Sequence, residues 1–240
     1  MKRFQAFVFC LMLAFSATFT LANEQVSTLN VDTSLTSDIH PDVAFISFKV
    51  VNQGLNIQEL KDKNDKIANK AINDIKAKLG NDETIKTTAY RINNIYTNKD
   101  KVSIFQKYEV VNSFEVKLKD FSKISQIIQL ATDAGAKKVD YVRFAIDNTQ
   151  NVCNELLAKT TKNAKDRAKI IADSLEAQIL KVKSVNPYCS LDSGYSQIIH
   201  RNFKAMNASD TNTESKPVIE SIEPGTVNVK TSVNLIYYLK

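Results

Sequence analysis

The segment from Val102 to Leu118 constrains the fold more than any other part of the chain. One face of a strand here would carry Val110, Asn112, Phe114, Val116 and Leu118, and the other would carry Glu115 and Lys117. This alternation is typical of a strand with one packed and one solvated face. A second strand-like run, Thr84 to Tyr96, precedes it across the turn Thr97-Asn98-Lys99-Asp100. The two runs predict a long antiparallel hairpin.

The remaining periodic segments predict further strands and three helices. The strands are expected at Val26 to Leu35, Val43 to Val51 (after a turn at His40-Pro41-Asp42), Val139 to Ile146, Ile179 to Pro187 and Val227 to Leu239. The helices are expected from a cap at Asn56 to Leu79 before Gly80, from Asp120 or Ser122 to Ala134 before Gly135, and from Asn151 to Ala177. This order mixes hairpins with crossovers. It predicts an α+β fold with mixed or antiparallel sheets and long amphipathic helices packed on one face.

The N-terminus has the layout of a secretory signal peptide. Lys2 and Arg3 precede an uncharged apolar run from Ala6 to Phe15, and Thr20 and Ala22 occupy the −3 and −1 places of a cleavage site. The run is shorter than the about 20 apolar residues of a membrane-spanning helix. We therefore expect residues 1–22 to be removed and the protein to be exported to the periplasm, with attachment to the outer membrane left open. Cys10 lies too early in the run to be a lipoprotein cysteine.

Residues 23–240 have the size of one large domain or of two small, intimately packed ones. No second apolar run reaches membrane length, so we expect no integral membrane span after cleavage. Lys2 and Arg3 account for two of the six formal net positive charges, which leaves +4 after cleavage. Because lysines alternate with acidic residues along the predicted helices, we expect solvated faces and no nucleic-acid partner.

Two cysteines, Cys153 and Cys189, remain after cleavage, and an oxidising compartment favours a disulfide between them. From Cys153 the predicted helix climbs for about 36 Å over roughly 24 residues. The returning strand covers about 30 Å in nine residues, which brings Cys189 back to the level of Cys153. Two buried free thiols are the alternative. Cys153 as a nucleophile at a helix N-terminus is a third reading, but no histidine lies nearby in the sequence.

No motif in the sequence indicates catalysis, a cofactor or a metal. The two histidines, His40 and His200, do not form a ligand pair with metal-site spacing, and no C-x-x-C, G-x-S-x-G, Walker or G-x-G-x-x-G pattern occurs. Tyrosines at 90, 96, 108, 237 and 238 are compatible with a carbohydrate or peptide site. Aromatic residues on strands more often pack in cores or on sheet faces, and we expect that role here.

Taken in order, several short segments resemble the SIMPL-domain family, which includes bacterial periplasmic immunogenic proteins. They are Pro41-Asp42 before a strand, the helix containing Asn64, Ile85 to Tyr90, Tyr96, Tyr108 to Asn112, Gly135-Ala136 before the strand ending in Phe144, the helix with Ala164, Arg167, Ala168 and Ala172, and Glu223-Pro224-Gly225 before the last strand. The chain departs from the family at Lys137-Lys138, and residues 188–216 match no family pattern.

The resemblance implies a protein of the cell envelope with no settled biochemical activity, linked to envelope integrity or stress tolerance and, in some members, assembled into ring-like oligomers. We therefore expect a non-enzymatic protein that forms a homo-oligomer and contacts envelope components. A small-ligand binder or an enzyme with scattered site residues is the alternative. A solution mass and a metabolite-binding screen would separate the two.

Overall fold

The computed structural model describes residues 26–191, 201–202 and 224–240. Its strands are β1 (Thr28–Ile39), β2 (Val43–Gly54), β3 (Thr84–Lys99), β4 (Val102–Leu118), β5 (Lys138–Ala145), β6 (Ile179–Leu191), β7 (Arg201–Asn202) and β8 (Val227–Leu239). Its helices are α1 (Ile57–Lys76), α2 (Ile124–Ala134) and α3 (Thr149–Ser174). A short 3₁₀ turn, Phe121–Lys123, precedes α2. The predicted α+β class is confirmed.

Five strands form one antiparallel sheet in the order β3-β4-β2-β5-β7. The central strand β2 pairs with β4 from Ala44 opposite Leu118 to Gly54 opposite Tyr108. On its other side it pairs with β5, with an irregularity after Ser47. The strand β2 is therefore enclosed by two neighbours, which agrees with its apolar sequence.

The larger core lies between this sheet and the helices α1 and α2. Phe48 of β2 and Phe114 of β4 are fully buried, and their ring centroids lie 5.3 Å apart. Ile75 of α1 and Ile127 of α2 are also fully buried in this core. One face of the strands is thus packed beneath helices, as the alternation in β4 predicts.

Asn64 fastens α1 to the sheet through a polar contact inside that core. Its Nδ2 group donates to the backbone carbonyls of Val50 and Val110, each at 3.1 Å, and to Oδ1 of Asn52. The Oδ1 atoms of Asn64 and Asn112 are buried and have no partner among the described residues. Because Val50 and Val110 belong to neighbouring strands, one side chain holds the helix against both.

The second sheet has three strands in the order β1-β8-β6. In β8, Val227, Val229, Val233, Leu235 and Tyr237 are buried. Their spacing is the period-two pattern predicted for the closing strand. In α3, Leu156, Thr160, Ala164, Ala168 and Ala172 are buried at intervals of four residues. This narrow stripe consists mostly of small side chains.

The chain divides into two compact units. The described part of the smaller unit consists of residues 26–32, 164–186 and 234–240, and in it Gln178 and Lys240 exchange two backbone hydrogen bonds of 2.9 Å. The larger unit holds residues 33–163, 187–191, 201–202 and 224–233. It contains the five-stranded sheet with α1 and α2.

Several predicted boundaries differ from the observed ones. The helix α1 begins after the expected cap, Asn56, but ends at Lys76 instead of Leu79. Beyond it the backbone bonds shorten to i−3 contacts, from Lys78 to Ile75 and from Leu79 to Lys76. The hairpin turn consists of Asp100 and Lys101, because β3 continues to Lys99. The predicted signal peptide, Cys10, His200 and the predicted loop at 206–216 lie outside the described residues.

The prediction that the Glu115 face of β4 is solvated is wrong for Glu115 itself. Its side chain is only 11% exposed, lies 3.1 Å from Lys86 Nζ, and accepts a 2.7 Å hydrogen bond from the Tyr141 hydroxyl. Long side chains from the neighbouring strands therefore cover this carboxylate. The periodicity identified the face correctly, but it could not show that polar neighbours bury it.

Candidate docking surface

The hairpin of β3 and β4 is paired along its whole length, up to Lys99 opposite Val102. At its tip Asp100 and Lys101 have φ angles of 50° and 65°. Two consecutive residues with positive φ are what a two-residue type I′ turn requires, and this turn matches the natural twist of the strands. The tip is therefore a tight reversal rather than a loose loop.

The hairpin extends beyond the rest of its sheet. The pairing of β2 with β4 stops at Gly54 opposite Tyr108. From Lys107 to Val102 the strand β4 has only β3 beside it among the described residues. Six residues of strand correspond to about 20 Å. We call residues 90–112, which include this projection, the distal ribbon.

One face of the distal ribbon carries no charged residue. The register places Tyr90 opposite Asn112, Ile92 opposite Val110, and Tyr96 opposite Phe105. Because side chains alternate along a strand, the same face includes every second residue of β3. The full set, which we call the aromatic face, is Tyr90, Ile92, Asn94, Tyr96, Asn98, Ser103, Phe105, Tyr108, Val110 and Asn112. The opposite face carries Arg91, Lys99, Lys107 and Glu109.

The aromatic side chains of this face contact one another but remain open to solvent. The ring centroids of Tyr96 and Phe105 lie 5.9 Å apart, and those of Phe105 and Tyr108 lie 4.8 Å apart. Tyr96 is nevertheless 53% exposed and Ile92 is 41% exposed. Tyr237 is buried in a core, as expected, whereas Tyr90 and Tyr96 lie on a sheet face and remain exposed.

Acidic residues of α1 flank the inner end of the aromatic face. Burial raises the pKa of Tyr90, and the carboxylate of Asp65, to which the hydroxyl is hydrogen-bonded, raises it further, as does Asp62. These interactions orient Tyr90 and keep its phenol protonated. They do not create a reactive group.

The edges of the two sheets differ in how they are protected. The strand β3 is the outer strand of its sheet, and between Lys86 and Lys99 its only charged residue is Arg91. The outer strand β6 carries Lys181, Lys183 and Pro187. Lysine and proline on an edge strand discourage pairing with another chain. The edge of β3 lacks this protection from Ala89 to Asn98.

Glu83 has the most perturbed carboxyl group, but internal contacts account for it. Burial by itself would raise its pKa, yet the ion pair with Lys123 and backbone N–H groups of Gly80, Asp120 and Lys119 lower the pKa to about 2. The distances from these donors are 2.7 to 3.0 Å. All four donors belong to the protein, so the carboxylate serves to join two loops and is not poised for catalysis.

Cys153 and Cys189 form a disulfide bond, and their Cα atoms lie 6.0 Å apart. Cys153 lies in the first turns of α3 and Cys189 near the end of β6. Ile146, Leu156, Val227 and Val229 form a buried cluster here, and Cys189 packs against it. The bond ties the start of the helix to the end of the strand.

The histidine at position 40 is exposed between β1 and β2. Within residues 26–191, 201–202 and 224–240 no three His, Cys, Asp or Glu side chains are placed to hold a metal ion. None of the helices in these ranges combines the length and hydrophobicity needed to cross a membrane.

The distal ribbon was not predicted as an exposed surface from the sequence. Two signals in the sequence could have identified it. Both strands are longer than their neighbour β2, and the even-numbered positions from Tyr90 to Asn98 contain no charged residue. The exposure itself depends on where β2 ends, which the sequence pattern did not locate.

The amino-acid sequence of this chain is similar to a protein family and to two named proteins. The model of the SIMPL family, described as a protein of unknown function (DUF541), matches residues 29–237. A 26 kDa periplasmic immunogenic protein of Brucella melitensis biotype 1 is 23% identical over 151 residues. A protein of the same name from Brucella abortus strain S19 is also 23% identical over 151 residues. In each case the match covers 61% of this chain and 60% of the relative.

Proposed function

This chain belongs to the SIMPL family, and from that premise we propose that it is a non-enzymatic periplasmic protein that supports envelope integrity and assembles with further copies of itself. The observation that supports self-assembly is the exposed, uncharged face of the distal ribbon. An isolated two-stranded hairpin is at best marginally stable in water. A ribbon with an exposed uncharged face and open edges is therefore expected to be covered by another protein surface.

The periplasmic location is supported by the names of the relatives and by the N-terminal sequence. Both relatives are called periplasmic immunogenic proteins. Lys2, Arg3, the apolar run and the small residues before Asn23 have the layout of an export signal. The disulfide between Cys153 and Cys189 suits an oxidising compartment.

The proposal of a non-enzymatic role rests on the contacts of the side chains whose pKa values are shifted. Glu83 is occupied by four donors from the protein itself. The shifted tyrosines, Tyr90, Tyr141 and Tyr237, have pKa values raised above the ordinary value, which keeps them protonated at neutral pH. None of these groups is activated as a base or a nucleophile.

Light scattering on the mature protein tests the assembly. We expect a mass of several protomers at micromolar concentration. Replacing Ile92 and Tyr96 by lysine should lower the mass to one protomer, because it places two charges on the aromatic face. Leu175→Lys is the matched control, since Leu175 is 65% exposed but lies on no part of the ribbon. A wild-type protein that stays monomeric at all concentrations would contradict the proposal.

A deletion strain tests the envelope role. Loss of the protein should increase sensitivity to detergents and leakage of periplasmic enzymes. The wild-type protein and Leu175→Lys should restore resistance, whereas the Ile92→Lys, Tyr96→Lys variant should not. If this variant restores resistance while remaining monomeric, assembly is irrelevant to the role. Specific metabolite binding by the purified monomer would favour the alternative of a small-ligand protein.

A further inference from the structure

We propose that β3 is the assembly strand, and that it pairs antiparallel with β3 of a second copy around a two-fold axis at Asn93. This inference rests on the proposed self-assembly and specifies its contact. Two features of β3 support it: its open backbone edge, and the residues that face each other when the strand pairs with itself. The composition of the other long edge strands supports it as well.

The open edge supplies unused hydrogen-bonding groups. The only neighbour of β3 in the described structure is β4. In an antiparallel pair every second residue directs its N–H and C=O groups away from its partner. From Ala89 to Asn98 this leaves about five residues with an outward pair of backbone groups. A second strand satisfies these groups in the way that β-strand addition does in peptide recognition.

A two-fold axis at Asn93 places favourable residues opposite one another. Tyr90 then faces Tyr96 of the second copy, and Tyr96 faces its Tyr90. Aromatic pairs directly opposite in antiparallel strands stabilise a sheet. Arg91, the only charged residue between Lys86 and Lys99, faces Ile95 of the second copy, so no like charges are opposed.

Neighbouring registers are less favourable. An axis at Arg91 would place that arginine against itself. An axis at Ile92 would place Tyr90 opposite Asn94, and one at Asn94 would place Tyr90 opposite Asn98, so that neither register forms a tyrosine pair. The axis at Asn93 also keeps both aromatic faces on the same side, because paired residues then share a face. The result is a continuous uncharged surface twice as wide.

The other long edges are less suited to this contact. The edge strand β6 carries Lys181, Lys183 and Pro187, and a proline cannot donate a backbone hydrogen bond. The edge strand β1 carries Asp32 and Asp38. In β3 a bulge falls at Thr88, between the pairs of Thr87 and Ala89. The second register shift, between Ile95 and Tyr96, adds Gln106 to β4, so β3 itself has no extra residue from Ala89 to Asn98. The bulge at Thr88 marks the inner limit of the proposed contact.

Single cysteines test the register directly. The native pair Cys153 and Cys189 is bonded, so a cysteine introduced into the mature chain is the only free thiol. Residues directly opposite in an antiparallel pair have Cβ atoms about 5 Å apart. Asn93→Cys should therefore form a covalent dimer under mild oxidation. Thr97→Cys, equally exposed, lies four residues from the axis and about 26 Å from its copy, and should stay uncrosslinked.

The outcomes separate this inference from the proposal on which it rests. Rapid dimer formation by Asn93→Cys alone supports the β3 contact. An oligomeric wild-type protein in which Asn93→Cys does not crosslink, or in which Thr97→Cys crosslinks equally fast, overturns the contact but leaves self-assembly standing. A wild-type protein that is monomeric by light scattering overturns both. Circular dichroism of each variant checks that the exposed substitutions leave the fold intact.

Discussion

At the scale of single residues, buried polar groups make the connections that apolar packing does not specify. Asn64 joins α1 to the carbonyls of Val50 and Val110, and Glu83 joins the loop after α1 to the segment before α2. Neither role was predicted from the sequence. The helical period placed Asn64 on the packed helix, but the partners of a buried amide depend on strand register, which a single sequence does not fix.

Replacing Glu83 by Gln should destabilise the protein at neutral pH. The pKa of Glu83 is lowered from 4.5 to about 2, so its ionised form is bound more tightly in the folded state. A lowering of this size corresponds to about 3 kcal/mol. Urea unfolding at pH 7 measures the loss. Asp82→Asn is the control, because the neighbouring Asp82 carboxylate is 75% exposed.

The same substitution should change the pH dependence of stability. Because the pKa of Glu83 is lower in the folded state, its contribution to the free energy of unfolding is complete above about pH 4.5. This contribution is lost as the pH falls towards 2. The free energies of unfolding of the wild type and Glu83→Gln should therefore converge over this interval. A constant difference between them down to pH 2 would show that the ionised carboxylate is not the source of the stabilisation.

At the scale of elements, the strands were easier to predict than their limits and surroundings. The bounds of β4 and β8, Val102–Leu118 and Val227–Leu239, coincide with the predictions. The end of α1 was placed at Leu79 because apolar spacing continues past Lys76, where the hydrogen bonding has already changed. Periodicity reports which residues are packed, whereas an element ends where its hydrogen bonds end.

Gly135 should resist substitution because of its backbone conformation. It ends α2 with a φ of 107°, and a Cβ atom there would lie 3.3 Å from Cγ2 of Ile67. Gly135→Ala should cost about 1 to 2 kcal/mol. Gly54→Ala is the matched control, because its Cβ would lie 3.3 Å from Cδ2 of Leu60 without a positive φ. Equal melting temperatures for the two variants would contradict a conformational cause.

The disulfide should stabilise the connection between α3 and β6. Its cysteines are 36 residues apart. A loop of this size corresponds to about 4 kcal/mol in the chain-entropy model. For a chain of this length we expect the Cys153→Ser, Cys189→Ser variant to melt roughly 10 °C lower. Thiol counting on denatured, unreduced wild type should find no free thiol. Two thiols, or no change in melting on reduction, would refute the bond as a stabilising element.

At the scale of the whole molecule, the exported protein should begin at Asn23. Cleavage after Ala22 removes Lys2, Arg3 and the apolar run. N-terminal sequencing of protein from fractionated cells measures the start, and replacing Ala22 by a bulky residue such as Phe should cause the precursor to accumulate. A chain that still begins at Met1 and sediments with membranes would contradict export by cleavage.

Because the first and last strands of the chain lie side by side, the second sheet can form only after the last strand is available. The strand β8 lies between β1 and β6, so the three-stranded sheet requires residues from both ends of the chain. The hairpin of β3 and β4 is local and can form in about 1 to 10 μs. During N-to-C translocation, the hairpin with its open edge therefore emerges before the strand that completes the other sheet. If the chain is exported as proposed, it passes through a period in which the open edge of β3 is already available but the three-stranded sheet cannot yet form.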